Sequence, residues 1–397
     1  VKKVVVLGGA GAMGQVIVKD LATCSQLENV TIADFNLDKA EELKKSLQAT
    51  NVTAAFADLK DKKSLLSVLE GAAIVINSTP YYFNLDVMEA ALEASCHYMD
   101  LGGLFHVTKK QLQLNDRFKE KNLLAVLGMG AAPGMTNVMA RSGADELDSV
   151  KSIDIIIGCV DFVKVDHPLN PPYALDTILD EYTKEPMVFE AGQYMAKPPM
   201  SGEITVDFPE PVGTAPAILT LHSEVLTLPV TFKDKGIQDV TFRLGLPTEF
   251  HERLKFLVDL GFGKSEPLYK DDANSAPRKV LAKMLEQFPV PQQDPNDCEV
   301  VRVDVQGLKD GKKQLVRMEA IVYADKKWKI SCGALDTGVP PSIVAQMIVQ
   351  NKITERGVLA PEVCVPQQAF YDELSKRNIN VTKVMRTADA TAAAAHA

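Results

Sequence analysis

No uninterrupted apolar run in this sequence approaches the about 18–20 residues needed to cross a bilayer, which argues against a membrane-spanning helix. Basic residues are not clustered: 43 Lys and Arg stand against 52 Asp and Glu, for a formal net charge of −9. Nothing therefore tracks a phosphate backbone, and nucleic acid is excluded as a main partner. The six cysteines (Cys24, Cys96, Cys159, Cys298, Cys332, Cys364) form no C-x-x-C pair and no Cys/His set at zinc spacing. This predicts free buried thiols in a reducing compartment and no metal site. There is no G-x-S-x-G and no paired Cys-His, so nothing supports a nucleophilic mechanism. Internal repeats are also missing. The strand-like run Lys3 to Leu7 leaves no room ahead of it for a signal peptide, and a cytoplasmic location is expected.

What is present is the composition of a globular protein, 46% hydrophobic and 24% charged over 397 residues, long enough for two cores. From Lys3 to Leu127, short apolar runs (Val4–Leu7, Val30–Ala33, Thr53–Phe56, Ala73–Asn77, Leu123–Leu127) alternate with amphipathic stretches (Gly14–Ala22, Leu37–Leu47, Lys62–Leu69, Leu85–Ala94, Val107–Lys121). Strands apolar on both faces, separated by helices, predict an α/β fold with a doubly wound parallel sheet of Rossmann type. After Pro133-Gly134 the texture changes. A helix over Met135–Ala144 leads into Val150–Val160 and a Pro-rich loop through Pro172, and segments that read as sequential strands follow, from Ile204–Phe208 to Trp328–Ser331. These predict a second α+β domain with a mostly antiparallel sheet, closed by a hairpin at Lys309-Asp310-Gly311-Lys312, where Asp-Gly supplies positive φ. Pro340-Pro341 is expected to open a C-terminal helix. The expected organisation is a dinucleotide domain over 1–134, a substrate and dimerisation domain over 135–335, C-terminal helices returning over 336–380, and a mobile tail over 387–397.

Gly9-Ala10-Gly11-Ala12-Met13-Gly14 is a G-x-G-x-x-G that follows a buried strand and opens a helix. Gly9 is expected to make the tight turn, Gly11 to admit a pyrophosphate and Gly14 to let helix and strand pack closely. Ala12 and Met13 bring the helix N-terminus to the phosphates. Asp34 ends the second strand about 20 residues beyond Gly14, where a carboxylate accepts hydrogen bonds from ribose hydroxyls and repels a 2′-phosphate. Phe35 stands where an NADP enzyme often places arginine, so the cofactor expected is NAD. Topology places Asp58 and Leu59 near the adenine, and Asn77, Ser78, Thr79 and Pro80 near the nicotinamide ribose.

Together with the fingerprint, Tyr98-Met99-Asp100-Leu101-Gly102-Gly103, residues 128–134 (Gly-Met-Gly-Ala-Ala-Pro-Gly) and Asn170-Pro171-Pro172-Tyr173 resemble the saccharopine dehydrogenase family. His222-Ser223-Glu224-Val225-Leu226-Thr227-Leu228-Pro229 and Phe242-Arg243-Leu244 are similar to its lysine 6-dehydrogenase-like branch. The resemblance implies oxidation or formation of a C–N bond at an amino acid or polyamine carbon, with a homodimer formed through the second domain. By that analogy the reaction is oxidative deamination of the 6-amino group of L-lysine to 2-aminoadipate 6-semialdehyde. The alternatives are a saccharopine or carboxynorspermidine dehydrogenase and, from another class, a non-catalytic NAD(H)-sensing protein.

Oxidising an amine calls for orientation and a proton acceptor. Asp100 follows a strand and serves either as ammonium ligand or base, or as a helix N-cap. His106 follows a Gly-Gly turn and either reaches the cleft or stays exposed. His222, within the matched segment, is an active-site residue or a hydrogen-bonded sheet histidine. Arg243 grips a substrate carboxylate or forms a salt bridge in the sheet. Tyr173 and Thr177 orient substrate or cap the next helix. His167, between Asp166 and Pro168, belongs to its loop.

Overall fold

The computed structural model describes residues 2–24, 26–289 and 293–387. The expected mobile tail falls, beyond Thr387, outside the described residues.

Strands β1 (Lys3–Leu7), β2 (Asn29–Asp34), β3 (Val52–Phe56), β4 (Ile74–Asn77), β5 (His97–Asp100) and β6 (Leu124–Val126) lie parallel in the order β3-β2-β1-β4-β5-β6. In β1, Val4 and Val6 belong to one core and Val5 and Leu7 to the other, all fully buried. A strand sealed on both faces needs helices on both sides, and the βαβ connections provide them. The order reverses between β1 and β4, which opens a crevice at the carboxyl ends of the strands.

The second sheet is built from β7 (Ser149–Asp161), β8 (Met187–Glu190), β9 (Gln193–Ala196), β10 (Ile204–Asp207), β11 (Thr214–Leu219), β12 (Asp239–Gly245), β13 (Asp297–Lys309) and β14 (Lys312–Tyr323). The main path runs β10-β11-β12-β7-β13-β14; only the β12–β7 pair is parallel, so the sheet is mixed and mostly antiparallel. The β13–β14 hairpin closes as expected, with Lys309 opposite Lys312 and Asp310 and Gly311 at φ 51° and 72°. The chain then crosses back. β15 (Gly357–Leu359) adds to the first sheet beside β6, and β16 (Val381–Thr387) adds to the second beside β14.

Four expectations about elements need correction. Pro340 and Pro341 do not open a helix: they sit inside Cys332–Val349, which starts at the Ser331 N-cap, whose hydroxyl accepts the Ala334 N–H. The Trp328–Ser331 segment is a turn closed by an Asp325–Ile330 bridge, not a strand. The stretch expected as a helix over Val107–Lys121 starts at Leu104 and breaks into Leu104–Gln111, a 3-10 turn and Asn115–Glu120. Beyond the C-terminal helices, β15 and β16 tie the chain into both sheets. β16 is exposed along nearly its whole length, so no apolar alternation marks it.

The helix Cys332–Val349 joins the two units. A Cβ on Gly338 would lie 2.6 Å from Val16 Cβ and 3.1 Å from the Met13 carbonyl, so the lack of a side chain lets this helix press on the first helix of the dinucleotide unit.

Candidate active site

The Gly8–Gly14 loop sits at the carboxyl edge of β1. The positive φ of the turn falls on Gly8 (φ 70°), one residue ahead of the Gly9 to which the tight turn was given. Gly9 is still confined, since a Cβ there would lie 2.9 Å from the Val6 carbonyl oxygen. Gly14 has the least room: a Cβ would come within 2.1 Å of the Gly8 oxygen. Gly11 and Ala12 are exposed at the start of the helix Ala12–Ala22, and no side chain caps that end. Its N–H groups and positive dipole are thus available to an anionic pyrophosphate, which fits a dinucleotide.

Asp34 closes the loop from β2. One carboxylate oxygen accepts the Ala10 N–H (3.0 Å) and the other the Asn36 N–H (2.9 Å). Each oxygen keeps a lone pair, so the carboxylate is oriented at the turn without being saturated. Phe35 is exposed beside it, its ring 5.6 Å from that of Phe56 at the end of β3. Asp58 and Leu59 follow β3, and Asp58 turns its own loop by accepting the Lys60 N–H. Ser78 donates to the Leu7 carbonyl, and Thr79 Oγ1 to Asn77, which itself reaches Asn84. Thr79 packs on Gly8, and Pro80 is exposed after it. The expected nucleotide residues therefore converge on one sheet edge.

Asp100 does not face the cleft. It is 1% exposed and accepts four hydrogen bonds: from Tyr98 (2.8 Å), Gln111 (2.6 Å), Gly102 N–H (2.9 Å) and Gly128 N–H (2.7 Å). Burial raises its pKa, against the pull of these donors. It caps no helix either. It braces two loops, 101–103 and 128–134, that frame the cleft.

Across the seam, His222 is buried between two acids, with Nδ1 3.3 Å from Glu224 and Nε2 3.8 Å from Glu181. Burial opposes its charge, but Glu224 and Glu181 together outweigh that and push its pKa up to about 9. Its ring lies on Phe242 of β12, and Glu224 is held by the Thr136 hydroxyl (3.0 Å), just after the 128–134 loop. Tyr173 donates a hydrogen bond to Glu181, and burial first, then that acid, raises the phenol well above its usual range. His222 and Tyr173 therefore share one carboxylate.

The remaining candidates lie elsewhere. Arg243 follows Phe242 on the strand and so points to the opposite face, where it pairs with Asp154 (3.7 Å) and Thr241 (2.7 Å). Of the two expected roles, the salt bridge in the sheet is the one these contacts form. His106 is exposed, edge-on to Phe105, and Thr177 is exposed in the first turn of the helix Leu175–Thr183. His167 stacks on Phe288, which follows the helix Pro277–Leu285.

Two residues of the seam were missed from sequence. Glu299 of β13 and Asp336 of the helix Cys332–Val349 face one another, and burial raises both, Glu299 to about 7. Each had a signal. Asp336 is the one charged residue in a mostly apolar helix, and Glu299 continues the inner-face row Val301, Val303, Val305.

The described residues hold no cluster of three or more His, Cys, Asp or Glu arranged for a metal, and no helix among them is long and apolar enough to cross a membrane. Comparison with known proteins bears on the rest. The saccharopine dehydrogenase NADP binding domain matches residues 4–126, and the saccharopine dehydrogenase C-terminal domain matches residues 130–379. The chain belongs to the saccharopine dehydrogenase family. It is similar to a carboxynorspermidine synthase of Vibrio cholerae (25% identical, covering 90% of this chain and 91% of that protein). A carboxyaminopropylagmatine dehydrogenase of Synechocystis is 22% identical, over 91% and 93% of the two chains. Apo saccharopine dehydrogenase (L-Glu forming) from Saccharomyces cerevisiae has the same fold, with a TM-score of 0.77 at 19% identity, covering 98% of this chain and all of that one.

This saccharopine dehydrogenase family member is an oxidoreductase of CH–NH groups with a nicotinamide dinucleotide cofactor. Bound nicotinamide supplies the hydride acceptor or donor. The seam itself holds a buried imidazole, two carboxylates beside it, and a braced pair of loops.

Proposed function

We propose that this chain is an NAD(H)-preferring dehydrogenase of a C–N bond on an amino-acid-derived substrate, with His222 as its proton-transfer group. The observation that carries the reading is the placement of His222 between Glu181 and Glu224 at the seam beside the dinucleotide edge. A pKa of about 9 keeps the imidazole protonated at neutral pH. That suits the reductive direction, in which the substrate's C=N carbon takes a hydride and its nitrogen takes a proton from His222. In reverse, the carbon loses hydride, His222 takes up a proton, and water replaces the amine. Tyr173 and Glu181 orient the imidazole, and Asp100 holds the loops facing it.

The preference for NAD rests on Asp34 and Phe35, because a 2′-phosphate would meet a fixed carboxylate and find no arginine in the adjoining position. The names of the curated relatives support a substrate joining an amino acid carbon to an amine. Oxidation of the 6-amino group of L-lysine is the second reading, favoured by the matched 222–229 segment and expected above the His222 pKa. A homodimer belongs to the same proposal and is checked by light scattering on the purified protein.

The test is a two-direction assay with NAD and NADP side by side, using carboxynorspermidine, saccharopine and L-lysine as oxidisable substrates. Turnover of any of them with NAD preferred supports the reading. Nucleotide binding without turnover of any would replace it with the non-catalytic sensor.

A further inference from the structure

Tyr81 stands in the 3-10 turn Tyr81–Phe83, directly after the Asn77–Pro80 segment, and its hydroxyl crosses to the second unit. There it accepts a hydrogen bond from Lys184 Nζ (2.6 Å) and donates to Asp180 Oδ2 (3.3 Å). Lys184 donates to the same carboxylate oxygen (2.8 Å), so the three groups close a triangle in which every edge pairs a donor with an acceptor. The Lys184 ammonium also lies 5.1 Å from the centre of the Tyr81 ring, within cation–π range. Arg278 holds the other oxygen of Asp180 (2.9 Å), and its guanidinium is fixed on the Gly263 carbonyl. Burial opposes ionisation of Asp180, but Lys184 and Arg278 outweigh it and hold the carboxyl below its usual range. Burial likewise opposes the charge of Lys184, and the bonds to Asp180 and Tyr81 outweigh it, so the ammonium stays charged.

Both ends of this triangle lead to the chemistry. On the dinucleotide side, the chain that delivers Tyr81 is fastened to the glycine loop and its strand: Ser78 donates to the Leu7 carbonyl (2.6 Å), and Thr79 packs on Gly8. On the other side, Asp180 lies in the helix Leu175–Thr183, and the next residue is Glu181. Successive helical residues diverge by about 100°, so Asp180 meets Tyr81 while Glu181 turns into the seam, 3.8 Å from His222 Nε2. The groups facing His222 are Glu224 from its own segment, Glu181 from this helix and Phe242 from β12, while Tyr173 acts through Glu181. Glu224 is fixed by Thr136 (3.0 Å), so the placement of Glu181 is the variable one. A retreat of Glu181 by about 1 Å weakens its attraction for the charged imidazole by about 0.6 pKa unit at an effective dielectric of about 20.

We propose that Tyr81, Lys184 and Asp180 latch the glycine-loop side of the cleft to the helix Leu175–Thr183, which makes Tyr81 a positioning residue that keeps Glu181 against His222. This rests on the dehydrogenase reading above, in which His222 moves the proton. Through the latch, a displacement of the 78–81 segment is felt as a change in proton transfer.

The experiment follows the His222 imidazole by NMR in full-length, NADH-loaded protein carrying 15N-labelled histidine, its signal assigned by its loss in His222→Asn. Wild type, Tyr81→Phe, Lys184→Met and Lys184→Arg are titrated over about pH 6 to 10. Wild type should titrate near 9. Tyr81→Phe and Lys184→Met should titrate lower by about 0.5 unit or more, and Lys184→Arg, which keeps a cation with N–H donors, should return to the wild-type value. Loss of a cation by itself would raise the imidazole, so a fall in Lys184→Met reports the retreat of Glu181. In both lowered variants kcat should drop about tenfold with the KM for NADH within about twofold, because the acid and not the dinucleotide edge is displaced. An unshifted or raised His222 in Tyr81→Phe and Lys184→Met overturns the proposal, even where thermal midpoints fall, since a merely structural tie moves the midpoint alone. The two readings fail separately. A lowered His222 in variants of a protein that turns over no C–N substrate sinks the dehydrogenase and leaves the latch. Turnover with His222 unshifted in both variants sinks the latch and leaves the dehydrogenase.

Discussion

The imidazole of His222 lies flat on the ring of Phe242, with centroids 3.5 Å apart and planes 8° from parallel. An aromatic face attracts a cation, so Phe242 joins Glu224 and Glu181 in favouring the charged imidazole over the desolvation that opposes it. The pH dependence of the reaction follows. The reductive rate should fall as pH rises through about 9, and the oxidative rate should climb over the same limb. Glu181→Gln removes one charge and should move both limbs towards lower pH. Phe242→Leu removes about 0.5–2 kcal/mol of cation–π attraction and should move them the same way by about 0.4–1.5 units. Limbs that stay in place in Glu181→Gln would show that another group titrates.

Stability should carry the same signature. His222 is held well above its unfolded pKa of about 6.5, so its stabilisation is fully present below that value and is lost as pH rises through about 9. Glu299 is also raised, to about 7, so ionising it penalises the folded state across the neutral range. Both groups leave the folded protein holding more protons than the unfolded chain, and the signs agree. The thermal midpoint of the unliganded protein should decline from about pH 6 to 9, measured by calorimetry. A midpoint that rises over that range would contradict the account.

Asp100 should behave as a brace and not as a base. Asp100→Asn turns one acceptor into a donor facing donors from Gln111, Tyr98, Gly102 and Gly128. The expected cost is about 1–3 kcal/mol for a buried mispaired group, seen as a lower midpoint in chemical denaturation. The pH profile of the residual activity should keep its limb near 9. Loss of that limb would return Asp100 to the chemistry.

Cofactor choice should be portable. Asp34→Gly with Phe35→Arg removes the fixed carboxylate and supplies a guanidinium for a 2′-phosphate. The ratio of kcat/KM for NADP over NAD should rise at least tenfold. Because Asp34 also holds Ala10 and Asn36, a stability loss of about 1–3 kcal/mol accompanies the change. Unchanged NAD selectivity would show that the discriminating group lies elsewhere.

The parts of this molecule that are legible in its sequence are those encoded locally. The glycine loop, the buried runs of β1 and β4, and the Asp310-Gly311 hairpin each announce their geometry within a few residues. The helix Cys332–Val349 misled because Pro340 and Pro341 look like a helix start. In place they remove the N–H groups that the Asp336 and Thr337 carbonyls would otherwise accept, and burial of the whole segment overrides that loss. For Arg243 the sequence leaves a substrate grip and a sheet salt bridge equally open, because telling its face from that of Phe242 needs strand register. The His222, Glu181 and Glu299 set comes from three distant parts of the chain, and nothing in spacing pairs them. Only the oddity of a lone acid in an apolar helix, or in a valine row, pointed that way.

The central claim is hydride exchange at a C–N bond with His222 moving the proton, and one measurement tests it most directly. Amine-dependent formation of NADH, followed across pH with NAD and NADP, is compared between wild type and His222→Asn on the substrate that wild type turns over fastest. The account predicts NAD-preferred turnover with a limb near 9 in wild type. In His222→Asn it predicts a loss in kcat of about a hundredfold or more, within the range of one general acid–base group, with the limb gone. Equal kcat and an unchanged limb in His222→Asn, or no amine-dependent NADH from wild type, would contradict it.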